Sequence, residues 1–393
     1  MRFVDDNERR ARLGQRHRLA DASRADRPLE IARSLTAIHA TDPGSTVVGI
    51  LTRSREPSIA AIDTALYEDR SLVRVLALRR TVFVIDYELA PAVWAACAQT
   101  VARTQRRLFQ KMIASDDIED LDAWTAEAER RMLAYLDAHP GSSSTEIATD
   151  DPYLSRRLSI GLPSAPDATQ SVASRLLTLL SAEGHVLRGR PKGSWTSTQT
   201  LWAPTHSWRS DWPERPPVDE ADQIIARSWL AGHGPGSTDD FAWWTGWPKG
   251  RARKAIDRAG GVEVSTTSGP GFLLDSDLDP VPPPEPWVAL LPGLDSSTMG
   301  WKDREFYLGS YRDRVFDNVG NGGPTVWIDG RIVGGWVHRD DSTIAYQLFE
   351  DVGRETVTAI DERAHVLEQL IGDVRLKPRA RRWTPTELEL KAS

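Results

Sequence analysis

Apolar positions along the chain switch from a helical to a strand period, and the switch recurs. Behind Asp26-Arg27-Pro28, a turn whose proline suits a first helical turn, Leu29, Ile31, Ala32 and Leu35 fall at helical spacing. Asp42-Pro43-Gly44 predicts the end of that helix, and a second helical stretch covers residues 57–67. Two β-rich runs follow, 72–78 and 81–86, with Arg79-Arg80 between them. Helices followed by a two-stranded wing is the order of a winged helix.

The same order returns twice. Residues 124–138 form an amphipathic helix stopped by His139-Pro140-Gly141, and Ser142 to Glu146 offer N-caps for a short one. A third helix over 167–182 and strands over 185–188 and 198–203 follow, around a basic tip at 189–193. The next copy has helices over 218–231 and 249–259, caps at 237–240, and a wing from 261–264 and 272–274. Such recurrence reads as a structural repeat. Pro-rich segments at 205–217 and 279–286 read as linkers. Beyond Trp287 the pattern alternates like strands at 288–291, 325–329, 331–338 and 343–348, with Asp329-Gly330 as a hairpin signal. A helix over 360–371 and a basic tail over 375–383 close the chain. The expected fold class is α+β: three tandem winged-helix units, 1–95, 96–212 and 213–284, then a small β-rich domain over 285–393.

With 393 residues the chain can bury several cores. No apolar run reaches about 18 residues, so a membrane partner is not expected. The start, MRFVDDNERRARLGQRHRL, lacks an apolar leader, which points to the cytoplasm. The one cysteine, Cys97, sits in an apolar run and reads as a core residue, and it leaves no Cys-based metal site. Eight histidines are scattered without ligand pairs, and no Gly-rich phosphate loop, His-Glu-x-x-His or Gly-x-Ser-x-Gly occurs, so neither a metal nor another cofactor is expected. A net charge of −7 argues against bulk coating of nucleic acid. Among the 49 basic residues, however, only seven are Lys, and Arg is the better fork for phosphate.

Several segments also resemble one known family. They are Leu35-Thr-Ala-Ile-His39-Ala-Thr41-Asp42-Pro43, the Arg74 to Thr81 strand pair, Gly234-Pro-Gly-Ser-Thr-Asp-Asp-Phe241-Ala-Trp-Trp-Thr-Gly-Trp247, and Leu290-Leu-Pro-Gly-Leu-Asp295. In this order they are similar to the AlkZ/YcaQ-like DNA glycosylases, over nearly the whole chain. The resemblance implies tandem winged helices with a C-terminal β-barrel-like domain. It also implies hydrolysis of the glycosidic bond of alkylated (N7-type) or crosslinked purines, by a water held between two residues of a Gln-x-Gln or Gln-x-Asp motif. His39 and Thr41 occupy the matching positions here, with Asp42 next, and threonine replaces the amide or carboxylate of the second.

Taken by themselves, His39, Thr41 and Asp42 allow two readings. A His near a helix end can position water or take a proton near neutral pH, around 6.5 if unperturbed, and an ionised Asp42 can support a positive sugar. Thr and Asp before Pro are equally ordinary turn formers. No lysine lies near the motif to form a Schiff base, which favours a monofunctional hydrolase. Candidate phosphate contacts are Arg79 and Arg80 at the first wing, Arg188, Arg190 and Lys192 at the second, and Lys249, Arg251, Arg253 and Lys254 on the third unit's last helix. The expected partner is double-stranded DNA with damaged purines, engaged by a monomer at the nucleoid. A non-catalytic winged-helix DNA-binding protein or transcriptional regulator remains the alternative. Trp243, Trp244 and Trp247 read as core.

Overall fold

The computed structural model describes residues 1–114, 118–159, 168–378 and 381–392, apart from the side chains of 97–99. The expectations for the Cys97 side chain and for a helix beginning at Asp167 therefore lie outside the described residues.

Strand β1 (Phe3–Val4) leads into α1 (Asp6–Arg16), whose N-cap Asp5 accepts from the Glu8 amide. Then come α2 (Pro28–Leu35), β2 (Ile38–His39), α3 (Pro43–Leu51), α4 (Ile59–Asp63) and the hairpin β3 (Leu72–Leu76) and β4 (Val82–Asp86). The chain continues through α5 (Ala90–Cys97), α6 (Arg103–Ile113), α7 (Leu121–Ala138), β5 (Ser142–Ser143), α8 (Ser144–Asp150) and α9 (Pro152–Ser155). A ribbon of β6 (Arg157–Ser159) and β7 (Thr169–Ser171) precedes α10 (Val172–Glu183), the hairpin β8 (Val186–Pro191) and β9 (Thr200–Pro204), and α11 (Thr205–Trp208). Next are α12 (Val218–His233), α13 (Thr238–Thr245), α14 (Lys249–Arg258), β10 (Gly261–Thr266) and β11 (Gly269–Leu274). Last come β12 (Val288–Leu291), α15 (Glu305–Leu308), α16 (Arg312–Val315), β13 (Thr325–Ile328), β14 (Arg331–His338), β15 (Ile344–Leu348), α17 (Arg354–Ile371) and α18 (Pro385–Ala392).

One connectivity is drawn three times. Strand β2, between α2 and α3, pairs with β4, and β5, between α7 and α8, pairs with β9; each partner is the second strand of its hairpin. Between α12 and α13, Gly236 forms the equivalent bridge to Phe272 of β11. The sequence pattern did not assign β1, which pairs parallel with the opposite edge at β10 and returns the N-terminus to the third sheet.

Two expectations need correction. Asp42-Pro43-Gly44 does not end a helix: α2 already stops at Leu35, where Thr36 turns to φ +63°, and Asp42 starts α3 by accepting from the Gly44 amide at 3.2 Å with Pro43 in the first turn. The same residue types that break a helix when they follow it cap one when they precede it. The C-terminal sheet, in order β12-β13-β14-β15, is open rather than a closed barrel. One of its faces is covered by α17, whose Ile360, Ala364, Leu367 and Ile371 join Val288, Leu290, Val326 and Trp336 in one core. The Asp329-Gly330 hairpin is as expected: φ of +47° and +83° match the tight turn of twisted antiparallel strands.

Helix α3 is anchored from both sides. Val48 packs into the core under the C-terminal sheet, and Thr52 Oγ1 donates to the Leu290 carbonyl at 3.1 Å. Just past α3, the fully buried Arg53 donates to Asp295 Oδ2 at 2.9 Å and Oδ1 at 2.7 Å. It also donates to the carbonyls of His17 and Gly49 and to Ser297 Oγ. Ser296 Oγ donates in turn to the Ala37 carbonyl, one residue before β2, at 2.8 Å. Removing one partner of such a pair strands a buried charge. Asp295→Ala is expected to cost about 3–5 kcal/mol of stability, read as a lower midpoint in urea unfolding.

Candidate functional site

The segment carrying His39 is held on both flanks. Backbone pairing to Phe83 fixes β2 on one side, and the Ala40 amide continues it to the Val82 carbonyl at 2.8 Å. From α3, Thr46 Oγ1 donates to the carbonyls of His39 at 3.0 Å and of Asp42 at 3.3 Å. The half-buried His39 ring meets Phe83 edge-on, with centroids 5.8 Å apart, and its Nδ1 is buried without a hydrogen-bond partner. Burial, and then the Arg79 cation, push its pKa down to about 4. At neutral pH the imidazole is uncharged.

His39, Thr41 and Asp42 do not converge on one cavity. Thr41 is exposed and lines a 580 Å³ cleft together with Arg74, Arg188 and Lys192. Asp42, only 6% exposed, caps α3 and faces a small cavity shared with Trp336, His338, Arg381 and the basic tail. Its carboxylate is thus committed to holding the loop.

The basic residues divide in the same way. Arg79 and Arg80 sit at the β3–β4 tip with φ of +52° and +62°. The Arg79 guanidinium lies 4.4 Å from the Trp243 ring, and its aliphatic stem crosses Gly246, where a Cβ would come within 2.9 Å of Arg79 Cγ. At the second hairpin, Arg188 stacks 4.4 Å from Trp202, Arg190 pairs with Asp63, and Lys192 is 3.2 Å from Glu146. On α14 the expected phosphate contacts meet acids. Arg251 forks onto Asp222 with two 2.7 Å bonds, Arg253 pairs with Asp257 at 2.9 Å, and Lys249 pairs with Asp239 at 2.7 Å, while Lys254 is exposed. Exposed pairs are worth about 0–1 kcal/mol and yield to phosphate, whereas the Arg251 fork also donates to the Ala96 carbonyl and is structural.

Trp244 and Trp247 are core, as expected, but Trp243 is half-buried and carries a second cation, Arg304, 4.7 Å from its ring. Arg304 itself is buried, with Nε and Nη2 unpaired. Sequence reasoning missed Arg304 because it lies in no cluster along the chain, and missed Arg74 because a charge inside a strand reads as an exposed alternation. Among the described residues no group of three His, Cys, Asp or Glu gathers as a metal site, and no helix is long and apolar enough to cross a membrane.

Comparisons with known proteins match this architecture. A family model described as DNA glycosylase AlkZ-like matches residues 32–370. The interstrand DNA cross-link repair glycosylase of Streptomyces sahachiroi is 27% identical over 189 residues, 46% of this chain and 51% of that protein. The chain thus matches about half the length of that curated relative. The solved structure of Streptomyces sahachiroi DNA glycosylase AlkZ superposes with a TM-score of 0.73 at 20% identity, over 96% of this chain and 100% of that one. At that identity the likeness is one of fold.

The environment of His39 sets its titration. In ¹⁵N NMR its ring is expected to keep the neutral pattern from pH 8 to about 5 and to protonate only as pH falls through about 4. A transition near 6.5 would mean that the ring is solvated.

Proposed function

From the premise that the chain belongs to the AlkZ-like DNA glycosylase family, we propose that it hydrolyses the N-glycosidic bond of alkylated (N7-type) or crosslinked purines in duplex DNA. The observation that carries this reading is His39: a neutral imidazole with a buried, unpartnered nitrogen, on a segment clamped by Thr46 and the β4 backbone. An N7-alkylated purine is cationic and departs readily, so the protein has only to hold a water against the sugar and stabilise the positive charge developing there. His39 accepts from that water, Thr41 lines the cleft next to it, and Asp42 holds the segment that carries them through the α3 cap. Neither a metal nor a covalent nucleophile takes part, and the enzyme is monofunctional.

The same reading takes residues 1–95, 96–212 and 213–284 as winged-helix units, ahead of a β domain over 285–393. Its support is the connectivity drawn three times, a short strand between two helices joining the second strand of a hairpin. Arg79, Arg80, Arg188, Arg190 and Lys192 are then its contacts to the phosphates of the duplex. Lys249, Arg253 and Lys254 form a weaker rim balanced by acids. The protein works as a monomer on cytoplasmic, nucleoid DNA.

Release of 7-methylguanine from duplex DNA, followed as abasic sites, tests the chemistry. His39→Ala should lose roughly two to four powers of ten in rate with DNA binding almost unchanged, while Thr41→Gln should retain or raise activity. The rate above uncatalysed loss should stay flat from pH 8 to about 5 and drop as pH falls through about 4, where the ring takes a proton and can no longer accept from water. DNA binding without any base release would instead identify a binding protein of the regulator type. Affinity should also fall steeply with salt, and an Arg190→Ala, Lys192→Ala double change should flatten that dependence.

A further inference from the structure

The cleft beside Thr41 joins Arg188 and Lys192 with a third cation, Arg74, to which the glycosylase reading gives no role. Its walls come from the meeting of the first two hairpin sheets, where Arg74 of β3 donates to the Gly189 carbonyl of β8. Arg74 is only 7% exposed, yet its Nε has no partner, and the Nε of its neighbour Arg188 is likewise buried and unpaired. Lys192 completes a group of three cations lining the cleft, and Thr41, Ser143, Ser174 and Thr200 are among the hydroxyl residues of its wall. Among the described residues no carboxylate lines this 580 Å³ space; at its edge Glu146 pairs with Lys192 and accepts from the Ser143 amide and hydroxyl. Burial, and then the nearness of Arg74, lower the Arg188 pKa to about 9, so two guanidiniums crowd together without an acid between them. Such an arrangement is costly for the protein alone and favourable once an anion enters.

Charge decides which part of a damaged duplex enters. An N7-alkylated purine is positive and would be repelled by Arg74 and Arg188, whereas a phosphodiester presents two oxygens to forked guanidiniums and hydroxyls. We propose that this cleft is a phosphate site. It holds the backbone phosphate next to the reacting nucleotide, with Arg74 and Arg188 as its principal ligands, so that the sugar is set beside Thr41 and His39 while the base lies elsewhere. The inference rests on the glycosylase reading for its choice of DNA, and it adds Arg74 as a binding residue and a division of the site by charge.

The test uses the full chain and a duplex with a tetrahydrofuran abasic analogue, in which single phosphates flanking the analogue are replaced one at a time by neutral methylphosphonate. One position should weaken wild-type binding roughly tenfold. Arg188→Gln should lose a similar factor on unmodified duplex and lose no more when that position is neutral, and its salt dependence should fall by about one phosphate. Arg74→Gln should behave the same way, and Arg188→Gln keeps the test intact if the more buried variant does not fold. Losses that multiply between variant and methylphosphonate, or a scan in which no position matters, would overturn the phosphate site. Stronger competition by inorganic phosphate than by chloride at matched ionic strength, with a flat scan, would assign the cleft to a free anion and also overturn it. Base release from 7-methylguanine DNA is measured in parallel. A sensitive position without base release would sink the glycosylase reading alone, and base release with a flat scan would sink the cleft alone.

Discussion

The buried ion pair of Arg53 and Asp295 is the constraint on which the geometry of the site depends. A guanidinium taken wholly out of water is tolerable only where its donors are used, and here they reach Asp295, the His17 and Gly49 carbonyls and Ser297. Those partners belong to the end of α1, to α3 and to the loop after β12. The pair therefore locks three distant stretches of chain into one block. Because Ser296 in that loop holds the Ala37 carbonyl, and because α3 begins at Asp42, both ends of the short segment bearing His39 are referred to the same block. That common reference makes the segment rigid with respect to both α3 and the C-terminal sheet.

Around this block the electrostatics are sorted rather than averaged. The net charge is −7, but acids neutralise α14, as with Asp222, Asp239 and Asp257, while among the described residues Arg74, Arg79, Arg188 and Arg304 make no ion pair and sit on aromatic faces or in clefts. Trp243 and Trp202 support their guanidiniums by cation–π contact, which holds a cation in place without cancelling its charge. Burial, aided by the Arg79 cation, keeps the His39 ring neutral.

Much of the architecture was legible along the chain. The three hairpins, the Ser143 and Ser237 caps, the Asp329-Gly330 turn and the order of helices all follow from spacing and turn chemistry, which act over a few residues. The segment around His39 was also visible, through its resemblance to a family motif. Its local geometry was misread because Asp-Pro-Gly has the same composition whether it stops one helix or starts the next. The covering of the last sheet by α17, and hence its openness, depends on packing between elements far apart in sequence.

What the sequence by itself determined is therefore the elements, their repeated order and the short segment that carries His39. Only the tertiary structure decided the neutral state of His39, the separation of Thr41 from Asp42, the neutralisation of Arg251 by Asp222 and the meeting of Arg74 and Arg188 in one cleft. The reason is physical. A backbone preference is set by neighbours in the chain, whereas the energy of a charge or a titrating ring is set by burial and by whichever groups the fold brings within a few ångströms.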